Sequence, residues 1–187
     1  MFETYDVKSE QLGFFEANRR GPNLSILLGN VEHATIEFVD KTRYRFHSPQ
    51  SSLVGRAGVS HSEREANTWY LSAFDTTTKI KRLEGTVRGD SFANYSESVI
   101  AIDEFDVCTC KFDQSEMSLS RNDGEIVGTR KRLDAGSGIY ARIEILDRLE
   151  PVTKDYLLIL LCLLGKKNPW FVMQVPFGAC QGYPGVL

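Results

Sequence analysis

The residues able to ligate metals or attack carbon centres near neutral pH are few. The chain carries three histidines (His33, His47, His61) and four cysteines (Cys108, Cys110, Cys162, Cys180). Cys108 and Cys110 flank one threonine, and on a strand both side chains face the same way. A structural zinc site needs four ligands at characteristic spacing, and the sequence has no C-x-x-C pair. Cys162 lies inside an apolar run, and the histidines are scattered. The pattern reads as reduced, structural thiols with no disulfide and no metal, since free cysteine behaves as a small buried hydrophobe. Catalytic motifs are missing too: there is no G-x-S-x-G, no H-E-x-x-H and no P-loop. Gly136-Ser137-Gly138 joins two expected strands and opens no helix, so it reads as a turn. Asp103/Glu104 and Glu3/Asp6 have no histidine partner and read as solvated carboxylates. The expectation is a non-enzymatic protein with no catalytic residues, no cofactor and no metal.

Basic residues are the remaining chemistry. Lys79, Lys81 and Arg82 fall in one expected strand, with Lys79 and Lys81 on the face opposite Ile80. Arg130, Lys131 and Arg132 follow Val127-Gly128, and Arg130 and Arg132 share a face. Such rows attract the phosphates of anionic lipid, at about 1 kcal/mol per basic residue near a membrane. They equally serve as a charged edge that discourages strand pairing. Lys79, Lys81, Arg82, Arg130 and Arg132 are therefore the candidate lipid-headgroup residues, with Lys79, Lys81, Arg130 and Arg132 expected to be exposed. The chain as a whole is not basic: 22 Lys+Arg against 25 Asp+Glu leave a net charge of -3. That disfavours a nucleic-acid partner.

These residues need elements to hold them. At 187 residues, with 42% hydrophobic and 25% charged side chains, the chain reads as one globular domain plus a tail. Much of it alternates with period two. Ala34 to Val39, Thr42 to His47, Trp69 to Phe74, Lys79 to Leu83, Val99 to Ile102 and Ile139 to Ile145 read as strands. In Thr42 to His47, Tyr44 and Phe46 point inward and Arg43 and Arg45 outward. Asn122-Asp123-Gly124 marks a hairpin turn, because Asp-Gly supplies positive φ angles. Ser60 to Asn67 and Gly89 to Ser98 read as exposed loops. A weak repeat links Tyr44…Gly55 with Met117…Gly128: strand, polar turn, then a second strand with a glycine after a valine. It reads as two related halves of a β domain or as two generic hairpins.

One segment breaks the β pattern. Tyr156 to Leu164 (YLLILLCLL) is nine residues long, too short for the ~20 that span a bilayer. Six leucines and one β-branched residue favour helix over buried strand. Pro151, Thr153 and Asp155 are helix-start residues, with Thr153 or Asp155 as the cap, and Gly165 ends the helix with Lys166 and Lys167 near its negative end. A helix apolar on every face must be enclosed, and the remaining chain offers only strands to do it. The N-terminus, MFETYDVKSEQLGFF, is interrupted by Glu3 and Asp6 and reads as no secretory signal. The expected setting is cytoplasmic, or peripheral at a membrane surface.

A β-barrel closed around a hydrophobic C-terminal helix resembles the tubby C-terminal-like superfamily, which includes tubby proteins, phospholipid scramblases and LURP-one-related proteins. Three features carry the resemblance. They are Gly124-Glu125-Ile126-Val127-Gly128 followed by basic residues, the strand Tyr140 to Leu146 leading through Pro151 into Asp155-Tyr156-Leu157-Leu158-Ile159, and the duplicated hairpin. Together they span residues 24 to 165 or so. The sequence departs in having no acidic loop like the scramblase calcium segment, no proline-rich N-terminal region, and 22 residues after Gly165. The resemblance thus implies the fold, and not scramblase activity or calcium binding.

The expected fold is mainly β: a closed antiparallel β-barrel of about 12 strands enclosing a hydrophobic C-terminal α-helix. Residues 1–165 form the barrel, with the helix near 152–165, and residues 166–187 form a tail packing on it, with Trp170 to Met173 over the barrel mouth. The expected function is binding of anionic phospholipid, such as a phosphoinositide-like headgroup. The alternative is a structural or protein-protein interaction module with no lipid ligand.

Overall fold

The computed structural model describes residues 1–62, 65–89, 95–102, 109–112, 116–133 and 138–163. The first half holds β1 (Phe2–Ser9), α1 (Phe14–Ala17), β2 (Leu24–Leu28), β3 (Val31–Phe38), β4 (Arg43–His47), β5 (Ser52–Ser62) and β6 (Glu65–Asp75). The second holds β7 (Lys81–Gly89), β8 (Tyr95–Ile102), β9 (Thr109–Phe112), β10 (Glu116–Ser120), β11 (Ile126–Arg132), β12 (Ala141–Leu146) and α2 (Pro151–Leu163).

All strands join one 12-stranded sheet in the order β8-β7-β6-β5-β4-β3-β2-β1-β12-β11-β10-β9. Among the described residues every pairing is antiparallel, and only the β1–β12 ladder joins strands distant in sequence, from Phe2↔Leu146 to Val7↔Ala141. Alternation sets the inner face. In β4 Tyr44 and Phe46 are buried between exposed Arg43, Arg45 and His47. In β12 Ala141, Ile143 and Ile145 are buried between exposed Arg142 and Glu144.

The inner face meets α2. Every residue from Lys154 to Leu163 is buried, and Leu157 to Leu161 are fully so. The helix touches β11 and β12 on one side and β7 on the other. In a flat sheet β7 and β12 would lie roughly 34 Å apart, seven strand spacings of ~4.8 Å. A helix of 13 residues reaches both only because the sheet curls around it. Gly128 on β11 allows the close approach, since a Cβ there would meet Leu161 Cδ1 at 2.9 Å. The end strands β8 and β9 lie against each other, with no hydrogen-bonded ladder between them among the described residues.

Several expectations change. The stretches read as loops are largely strand: β5 and β6 pair as far as Ser62↔Glu65, and β7 and β8 as far as Gly89↔Tyr95. Backbone ladders continue through polar sequence once neighbouring strands fix the register. β7 begins at Lys81 rather than Lys79, and Ile80 is exposed in the turn before it. The helix begins at Pro151, whose missing N–H costs nothing in a first turn. Asp155 is therefore inside the helix and not its cap. The repeat maps onto the β4–β5 and β10–β11 hairpins with different registers: Tyr44 faces Gly55, but Met117 faces Arg130 and Leu119 faces Gly128. Gly124 takes φ +89° in the expected β10–β11 turn. Cys108, Cys180, the Cys110 side chain, the Gly136-Ser137 turn, Asp103/Glu104 and the 166–187 tail lie outside the described residues.

Candidate ligand-binding surface

The antiparallel order gives the sheet two ends. One carries the β1–β2, β3–β4 and β11–β12 connections; the other carries the β2–β3, β4–β5, β6–β7 and β10–β11 turns and the start of α2. Lys79, Lys81 and Arg82 sit at the second end. Lys79 is a turn residue at φ +61°, and its Nζ donates to the Thr76 carbonyl at 2.5 Å. Lys81 is exposed and ion-paired with Glu84 at 3.0 Å. Arg82 is half-buried, and its charge helps hold the Asp75 carboxyl low, behind the larger effect of the Thr78 backbone N–H.

Arg130 and Arg132 lie towards the first end, so the two basic groups do not converge. Arg132 is exposed at the end of β11. Arg130 corrects an expectation: only 8% exposed, it faces inward, and its Nη1 donates to the Leu161 carbonyl at 2.8 Å. A guanidinium that donates to a carbonyl in the last described turn of a helix is favoured by the negative end of the helix dipole. Arg130 is thus a fastener of the central helix. Burial pushes the neighbouring Tyr140 hydroxyl up to about 12, although the Arg132 and Arg130 charges pull the other way. Burial likewise pushes the Cys162 thiol up to about 12, against Arg130, which leaves it a neutral core residue.

A different basic surface is assembled on the outer face of β4 and β5. Arg43 stands opposite Arg56 in the β4–β5 register, with Arg45 opposite Val54 two residues along. The row continues from Val54 to Phe74 on β6 and from Phe74 to Lys81 on β7. Arg43, Arg45, Val54, Arg56, Phe74 and the 46% exposed Val39 line a depression of about 290 Å³. Arg43 is tied to Asp40, Nε to Oδ2 at 2.5 Å, while Arg45 and Arg56 form no ion pair among the described residues. Burial works against ionisation of Asp40, but the backbone N–H groups of Thr42 and Arg43 and the Arg43 guanidinium outweigh it and hold the carboxyl below the usual range. Behind this surface, on the inner face, the buried Tyr44 ring covers Gly55 and its hydroxyl donates to the Ser72 carbonyl at 2.9 Å. Guanidinium forks bind phosphate and carboxylate bidentately. Three of them around an apolar floor suit an anion attached to an apolar body.

No family model, curated protein or solved structure matches this chain.

A buried polar cluster lies at the other end, around the start of α2. Ser48 Oγ donates to Asp155 Oδ2 at 2.5 Å, and His33 Nε2 lies 3.7 Å from Asp155 Oδ1. Beside them Lys154 pairs with Glu3 at 2.9 Å, and the Tyr5 hydroxyl donates to Glu3 at 2.6 Å. Burial raises the Asp155 pKa, opposed by Ser48, Ser51 and His33. The Ser48 hydroxyl faces a carboxylate rather than an imidazole, so these residues do not form the hydroxyl–imidazole pair of a serine nucleophile. Sequence spacing could not reveal this cluster, whose members come from four separate stretches. The arginine depression left one signal, the outward Arg43 and Arg45 of β4; Arg56 joins them only through register.

Proposed function

We propose that this chain is a non-enzymatic, tubby-like β-barrel domain that binds anionic phospholipid at the cytoplasmic surface of a membrane. The observation that carries the reading is the depression rimmed by Arg43, Arg45 and Arg56 over Val39, Val54 and Phe74. Guanidinium groups would take the headgroup phosphate and the apolar floor its glycerol and acyl portion. Curling of the sheet, with β8 against β9 around α2, supports closure into a barrel. Of the residues singled out from sequence, Lys81 borders this surface through Phe74, and Arg132 adds charge at the first end. Lys79 and Arg82 lie at the second end, and Arg130 serves the core. No helix among the described residues is long and apolar enough to cross a membrane.

The test is sedimentation of the full chain with phosphatidylcholine vesicles containing phosphatidylserine or a phosphoinositide, across a salt series. Binding should need the anionic lipid and weaken with salt. Arg43→Glu/Arg45→Glu/Arg56→Glu should lower affinity roughly 100-fold, at ~1 kcal/mol for each arginine. Its melting temperature should stay close to the parent's, because all three are exposed. If the parent ignores anionic vesicles even at low salt, the interaction-module reading takes its place.

A further inference from the structure

Two of the most exposed apolar side chains are neighbours. Phe14 is 66% and Phe15 84% exposed, and their rings meet edge to face at 5.7 Å on α1. Isolated exposed apolar residues are ordinary; an adjacent aromatic pair at the apex of a connection is a patch that calls for a partner.

The connection holding them is firmly built. Arg20 binds both Glu10 oxygens, at 2.9 and 3.2 Å, and Glu16 at 2.8 Å. It also donates to Asn23 Oδ1 and the Gly21 carbonyl, each at 3.1 Å. Asn23 Oδ1 accepts from the Phe38 backbone N–H at 3.1 Å, which fastens the loop to the end of β3. The side chains of Glu10, Glu16, Arg20 and Asn23 are turned into this network while the two rings are held out to solvent.

The pair stands at the same end of the sheet as Val39, Arg43 and Arg56 on one side and Arg132 on the other. Aromatic rings flanked by basic side chains complement an anionic bilayer, which offers phosphates at its surface and an apolar layer just beneath. We propose that Phe14 and Phe15 form an aromatic wedge that enters the interface of an anionic membrane while the arginines at that end hold the headgroups. This rests on the lipid reading above and adds a second, apolar contribution together with the orientation of the domain.

The two contributions separate by salt dependence. Full-length parent, Phe14→Ser/Phe15→Ser, the triple arginine variant, and Val31→Ser as an exposed control at the opposite end are sedimented with phosphatidylcholine/phosphatidylserine vesicles. Measurements run from low salt to 1 M, where screening shortens to about 3 Å. The phenylalanine variant should lose roughly tenfold or more in affinity and all salt-resistant binding. Its melting temperature and its salt slope should stay at the parent's. Val31→Ser should bind as the parent does. Parent-like binding by the phenylalanine variant, or equal loss in Val31→Ser, overturns the wedge and leaves the lipid reading intact. No binding by the parent overturns both. A concentration-dependent dimer that disappears only in the phenylalanine variant overturns the wedge in favour of a second copy of this chain.

Discussion

Asp155 shows how much a single position can depend on its surroundings. In the sequence it stands among helix-start residues; in the fold it is fully buried. It is faced by Ser48 and Ser51 ahead of β5, by His33 on β3, and by Lys154 with Glu3 and Tyr5 alongside. Burial raises its pKa, so the folded chain holds this proton more tightly than the unfolded chain, where the group titrates near 3.8. The resulting stability is complete below that pH and is lost as pH rises through the raised folded value. Asp155→Asn keeps an acceptor for Ser48 and carries no charge. It should melt higher than the parent at pH 7 and show a flatter stability profile between about pH 4 and pH 7. A lower melting temperature with an unchanged profile would mean that an ionised Asp155 paired with His33 supports the fold. Arg130 is a second case. Arg130→Met should cost about 1–3 kcal/mol by leaving the Leu161 carbonyl without this donor. Chemical denaturation reads that directly, whereas a surface arginine would give a change near zero. Neither role was legible from sequence: alternation put Arg130 on the same face as Arg132 without saying that this face meets a helix end.

Among the elements, α2 has the most at stake. Its composition alone announced an enclosed helix, because leucines on every side leave no face for water. Burial of ten consecutive residues bears that out. Leu160→Asp places a carboxylate where exposure is 0%, and should cost several kcal/mol. A fragment of residues 1–150 lacks the helix altogether and should show no cooperative melting transition. If Leu160→Asp melts like the parent, or the fragment unfolds cooperatively, the helix is not the core. Strands were legible where one face is apolar, as in β3, β4 and β12. β1 was missed, although its Tyr5 and Val7 are almost completely buried, because only these two positions of FETYDVKS mark the inner face. The far ends of β5 to β8 were missed for a related reason, since their ladders run on through polar residues.

For the whole molecule, charge is arranged rather than accumulated. A net charge of -3 gives no general attraction to anionic surfaces. Any such attraction is local, and the sheet order determines where it lies. Composition and periodicity by themselves determined that the chain is mainly β, that Asn122-Asp123-Gly124 turns a hairpin, and that a leucine-rich helix near the end must be buried. Each of those follows from neighbours close in sequence, whose geometry repeats every two or 3.6 residues. Only the tertiary structure decided that β1 bridges β2 and β12, that Arg130 turns in to the helix end, and that Arg43, Arg45 and Arg56 share one outer depression. Register and sheet order are set by contacts between distant stretches, and a strand's alternation says which side chains share a face without saying what that face will meet.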